Sequence, residues 1–279
     1  MLLGLSLGSL ALLTGGGALI GFLLSVLGAG GSILLLPLLV SGAALPTKEA
    51  VPLSLLVVML LALGNLGPYV RRRQIATRPA LVLGLPAMAG SLLGGGWVRA
   101  GAVPEPVQLG VFAVAALVAS WLLTRQQAPG KAAAVTTPAG EWLLAGQGVL
   151  VGLLTGLAGV GGGFAIVPAL VLLGGLPMQL ASGTSLLLIV LNALVAMAAL
   201  GHWPANSLPL MAPLLTGGAA GAVVGQQLAP HLPDRRLRQG FAALLIGSAL
   251  LTGIEAVKRQ PRFGDALRTT DAPQRTNQR

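Results

Sequence analysis

The sequence predicts an all-α polytopic membrane protein of about eight transmembrane helices. They form two repeated four-helix halves, with spans 1 and 5 broken at glycine runs. Three observations carry this expectation. The chain of 279 residues is 54% hydrophobic and only 9% charged, whereas a soluble domain would carry roughly a quarter charged residues. Mean hydropathy is +0.86, and apolar runs of about 18 residues or more recur from end to end. Finally, the glycine-rich segment near residue 30 recurs near residue 160.

Seven polar or proline-rich breaks divide the chain: 45–52, 69–79, 99–106, 125–141, 174–179, 201–206 and 229–238. They leave spans near 18–42, 50–69, 80–98, 107–124, 142–173, 180–200, 207–227 and 237–257. The N-terminal "MLLGLSLGSLALL" lacks the basic flank of a signal peptide and reads as part of the first span. Residues 1–124 form the first transmembrane repeat, 125–141 an Ala-, Pro- and Thr-rich linker, and 142–257 the second repeat. The basic tail, 258–279, reads as disordered.

The repeat is gap-free. Shifting residues 21–55 by 131 positions lays Gly21 on Gly152, Gly28 on Gly159, and Gly30 and Gly31 on Gly161 and Gly162. Pro37 then meets Pro168, Leu45–Pro46 meets Leu176–Pro177, and Ser54 meets Ser185. Chance likeness between leucine-rich segments would match leucines rather than glycines and prolines in register.

The formal charge of +10 could suggest nucleic acid, but the basic residues lie in the short breaks and the tail. That placement reflects the positive-inside bias, so no nucleic-acid partner is expected. With eight single crossings, twelve basic residues would lie on the inner side and five on the outer. That split favours parallel halves with both termini cytoplasmic. The rival arrangement, with spans 1 and 5 as hairpins, inverts the halves and splits the charges nine to eight.

The glycine runs are the candidate site. Gly28, Gly30 and Gly31, and Gly159, Gly161, Gly162 and Gly163, break the middle of spans 1 and 5. Glycine costs a helix about 1 kcal/mol per residue, and freed amides in hydrocarbon cost several kcal/mol unless satisfied. A helix that restarts after such a break aims its N–H groups and positive dipole end into the gap, where an anion supplies acceptors. Gly152-xxx-Gly156, Gly90-xxx-Gly94, Gly217-xxx-Gly221 and Gly221-xxx-Gly225 instead fit helix contacts. The spans that follow add hydroxyls, Ser182, Thr184 and Ser185 in "ASGTS" and Ser54 in "AVPLS". These could donate to an oxyanion or bond back to their own helices. Asn65 and Asn192 suit a role as glue between helices, and Asn192 also counts among the candidate ligands.

Other patterns fall away. Gly4-Leu-Ser6-Leu-Gly8 copies a hydrolase elbow in letters but follows no strand. Gly159-Val-Gly161 lacks a βαβ context. His202 and His231 are solitary, so no metal site, no cofactor and no enzyme chemistry are expected. No acidic residue lies well inside a span, which fits an anionic substrate better than a carboxylate-coupled cation carrier.

"GLLTGLAGVGGGFAIVPAL" (152–170) and its copy "GFLLSVLGAGGSILLLPLL" (21–39) resemble the sulfite exporter TauE/SafE family of membrane permeases. The resemblance implies a bacterial inner-membrane carrier of small anions such as sulfite, sulfonates or sulfoacetate. Its partners would be the lipid bilayer and the anion, with homo-oligomerisation left open. The copies are unequal, Ser32 standing where the second has Gly163 and "AVPLS" where it has "ASGTS". The alternative is a membrane scaffold or assembly factor whose glycines only pack helices.

Overall fold

A computed structural model describes residues 7–125, 138–158, 163–172 and 174–259. Among the described residues the chain is helical and has no strand. Its helices are α1 (Leu7–Leu27), α2 (Gly30–Pro37), α3 (Thr47–Arg71), α4 (Thr77–Arg99) and α5 (Glu105–Arg125). They continue with α6 (Pro138–Ala158), α7 (Gly163–Leu172), α8 (Met178–Leu200), α9 (Met211–Leu228) and α10 (Asp234–Arg259). Five apolar segments are long enough to cross a membrane: Gly8–Leu27, Lys48–Arg71, Thr77–Arg99, Met178–Leu200 and Ala205–His231. Shorter apolar stretches, Ala113–Thr124 and Trp142–Leu157, lie in α5 and α6.

The surface fits a bilayer. Leu81, Leu85, Val114 and Leu250 are each about 60% exposed, a cost in water that vanishes against lipid tails. All four tryptophans are at least half exposed. Trp97 and Trp203 lie near one end of the bundle, Trp121 and Trp142 near the other, as interfacial anchors do.

Helix contacts are built on small residues. Gly217, Gly221 and Gly225 of α9 lie against the carbonyls of Thr14, Ala18 and Phe22 of α1. Gly148, Gly152 and Gly156 of α6 lie likewise against Leu83, Ala87 and Ser91 of α4. A Cβ at any of these positions would collide with the facing backbone, so the glycines permit the approach. The contacts come in pairs offset by 131: Gly17 with Leu214 matches Gly148 with Leu83, and Gly21 with Gly218 matches Gly152 with Ala87. The first helix of each half therefore packs on the fourth helix of the other.

These contacts also fix chain direction. α1 and α9 are parallel, as are α4 and α6, because their contact registers rise together. α4 is parallel to α8, with Gly84 on Leu188 and Gly95 on Ala199. α8 is antiparallel to α3: Gly183 touches Tyr69 at one end, and His202 pairs with Glu49 at the other. α3 runs with α1, since Tyr69 reaches Ser25. Hence α1 and α6 run in opposite directions, which corrects the parallel arrangement favoured by charge counting.

The expected first span at 18–42 is also redrawn. α1 runs from Leu7 to Leu27, and Gly28, at φ +76°, reverses the chain. α2 then folds back along α1, with Gly31 against Ile20, Leu38 against Gly16 and Gly42 against Leu12. Pro37, within the returning helix, cannot donate a backbone bond, and the next turn (Leu38–Gly42) widens to a π-helix. The break therefore lies near the end of the bundle where α3 ends, rather than in the middle of a span. The second run, 159–162, lies outside the described residues; α6 stops just before it and α7 begins just after.

α10 starts beside α8, where Asp234 accepts from the Met178 N–H. It then runs the length of the bundle to bring Leu251 beside Gly16 and Leu38. The α1 start and the α10 end thus share one face, and the turn bearing Arg71, Arg72 and Arg73 lies on the other.

Candidate functional site

The site begins with the C-terminus of α1. The last carbonyls of a helix have no intrahelical donor, and here they lie in the protein interior. Gly28 closes the helix by donating its N–H to Leu24 at 2.9 Å. Ser182 donates to the Leu27 carbonyl at 3.0 Å, and Ser185 donates to that of Gly28 at 3.1 Å. The approach is close: a Cβ on Gly28 would stand 2.5 Å from that of Ser182. Gly28 in the first half and "ASGTS" in the second, separate in sequence, are one structural unit.

Three of the four hydroxyls singled out in the sequence, Ser54, Thr184 and Ser185, bond back to their own helices. A serine or threonine hydroxyl has one proton to donate. That of Ser182 goes to the broken helix, while Ser185 has two acceptors in reach, the Ser182 carbonyl of its own helix at 2.8 Å and that of Gly28 at 3.1 Å. Thr184 donates to Leu180 at 2.7 Å and accepts from the Ala76 N–H at 2.9 Å, which holds the α3–α4 turn. In this arrangement Ser182 and Ser185 lie against the break, Thr184 holds the neighbouring turn, and each hydroxyl has a protein acceptor. Ser54, buried in the first half of α3, donates to Val51 at 2.7 Å. It lies roughly 22 Å along the helix from Tyr69, at 1.5 Å per residue.

The donors at the break are backbone groups. Gly30, Gly31 and Ser32 open α2, whose N-cap residue, Ala29, has no side chain able to cap it. The first N–H groups of a helix lack intrahelical acceptors and carry the positive end of its dipole. Ala29 and Gly31 are buried. Gly163 opens α7; Gly159, Gly161 and Gly162 lie outside the described residues. Asn192 stands apart, in the middle of α8.

Sequence reasoning missed the polar groups around the break. Tyr69, the chain's one tyrosine, is buried and donates its hydroxyl to the Ser25 carbonyl at 2.7 Å. Tyr69, Arg72, Gln74 and Gln179 line a polar pocket of about 20 Å³, room for one water. A lone tyrosine at the end of an apolar span was the available signal. A larger cavity of about 490 Å³ between α3 and α8 is lined by Leu55, Leu56, Met59, Leu194 and Met197. Its apolar walls suit an acyl chain better than an anion. Among the described residues no group of acidic, His or Cys side chains could hold a metal ion.

Comparison with known proteins places this architecture. The family model described as "Sulfite exporter TauE/SafE" matches residues 13–252. A "Probable membrane transporter protein" of Xylella fastidiosa strain Temecula1 is 28% identical over 252 residues, 87% of this chain and 94% of that protein. Its counterpart in strain 9a5c is 27% identical over the same shares. No solved structure matches.

Proposed function

The chain belongs to the sulfite exporter TauE/SafE family, and from that premise we propose that this membrane transporter carries a small oxyanion. Sulfite, a sulfonate or a related organic anion is the cargo, moved by alternating access across the bacterial inner membrane. The halves act as an inverted repeat, each opening with a helix that packs on the other half. Rocking one half against the other would then open the α1–α8 contact at the break.

One observation supports this reading above others: α2 starts behind an alanine N-cap, at a buried reversal that serines of α8 lie against. Gly30, Gly31 and Ser32 would present amides to the anion, and Gly161, Gly162 and Gly163 would do so in the second half. Ser182, Thr184 and Ser185 would keep the break in shape. The scaffold alternative accounts for the packing glycines but gives a glycine-rich helix start at a buried reversal no purpose.

The test is a thermal-stability screen of purified protein against sulfite, sulfate, thiosulfate, sulfonates and carboxylates, followed by flux in liposomes. One class of oxyanion should raise the unfolding midpoint and cross the membrane in a protein-dependent way. If no anion moves the midpoint and no flux appears, the protein is a scaffold.

A further inference from the structure

Asn192 is 1% exposed, and neither its Nδ2 nor its Oδ1 has a hydrogen-bond partner. Leaving a buried carboxamide unsatisfied at both ends is costly.

Its place in the fold is specific. On the same face of α8, Leu188 lies against Gly84 and Ala199 against Gly95, which sets Asn192 opposite the stretch from Ala87 to Ser91. α3 crosses α8 at this level, bringing Leu55 and Met59 beside Ala193 and Met197. One end of α8 meets Tyr69 and the other meets Glu49, so Asn192 lies near the middle of the molecule.

Two comparisons within the chain argue against a packing role. The position 131 residues earlier is Leu61, which fills the equivalent space against Gly218. The architecture therefore accepts an aliphatic side chain there. Asn65, also buried, is satisfied: it donates to the Leu61 carbonyl at 2.8 Å and accepts from Gln226 at 3.0 Å. Where an asparagine ties helices together in this protein, it has partners.

We propose that Asn192 is a midplane substrate contact that recognises an oxyanion carrying its own hydrogen-bond donor. The unpaired N–H group would donate to an anion oxygen, and the unpaired carbonyl would accept from an O–H or N–H of the same molecule. A hydrogen-oxyanion such as hydrogensulfite, or a hydroxy- or amino-substituted sulfonate, has both features. This inference rests on the anion-transport reading, refines its cargo and adds a contact roughly 15 Å along α8 from Ser182, at 1.5 Å per residue, so the anion would meet the break and Asn192 in turn rather than together.

The experiment compares sulfite, ethanesulfonate and 2-hydroxyethanesulfonate as stabilisers of full-length wild type and Asn192→Leu, which copies Leu61. Wild type should bind 2-hydroxyethanesulfonate about 10-fold more tightly than ethanesulfonate, the worth of roughly one hydrogen bond. Asn192→Leu should lose that preference and weaken sulfite binding about 10-fold or more, while its unliganded midpoint stays equal or rises. Asn192→Ala carries the same expectation for binding if the leucine variant fails to fold. Unchanged sulfite affinity in the variants, or no donor preference in wild type, overturns the assignment. Should no anion stabilise even wild type, the transport reading fails as well.

Discussion

Ser182→Ala tests whether the serines of α8 hold the break or bind the cargo. Ser182 is 1% exposed and donates to the Leu27 carbonyl at 3.0 Å. Removing the hydroxyl strands that carbonyl at a buried helix end. Orphaning a buried acceptor costs about 1–3 kcal/mol. For a chain of this size each kcal/mol lowers the unfolding midpoint by roughly 2–4 °C, taking soluble proteins as the guide. Adding Ser185→Ala removes a hydroxyl shared between the Ser182 and Gly28 carbonyls, with less than additive effect because the groups share one cluster. The assay is thermal unfolding of detergent-purified protein with and without a stabilising anion. Ser182→Ala should lower the unliganded midpoint by that amount and retain most of the anion-induced shift. An unchanged unliganded midpoint with a lost anion shift would refute the reasoning, because the hydroxyl would then be a ligand.

Three further expectations follow from the same geometry. Gly28→Ala meets both a positive φ and the backbone of Ser182, so it should abolish folded protein. Gly64→Ala, with open space around it, should be neutral or stabilise by up to about 1 kcal/mol; equal yields from the two would contradict the reversal at Gly28. Gly221→Leu drives a side chain into the Ala18 carbonyl and should depress expression and melting temperature; a variant as stable as wild type would show that α1 and α9 do not pack as described. Reporters placed in the Arg73–Gln74 turn and after Arg279 should read opposite sides of the membrane, whereas eight single crossings would put them on one side. The cytoplasmic side should be that of the arginine turn, which would place both termini outside.

Hydropathy determined that this chain lives in a bilayer, and the first glycine run marked where α1 gives way to α2. Those signals are local: an apolar run or a Gly28-Ala29-Gly30-Gly31 sequence carries its meaning within a few residues. Direction was not legible. A glycine run permits either a continued helix or a reversal, and the choice depends on α2 finding Ile20 and Gly16 along α1. Charge counting could not decide it, because reversing one helix moves every later loop to the other face. The serines show the same limit. "ASGTS" announces hydroxyls, but only the packed fold shows that Ser182 donates to a carbonyl 155 residues earlier, while Thr184 and Ser185 find acceptors in their own helix. For Asn192 the reverse holds. Its residue type suggested a helix tie, yet tertiary packing left both ends of the amide without a partner, because α4 meets α8 there with small and aliphatic residues.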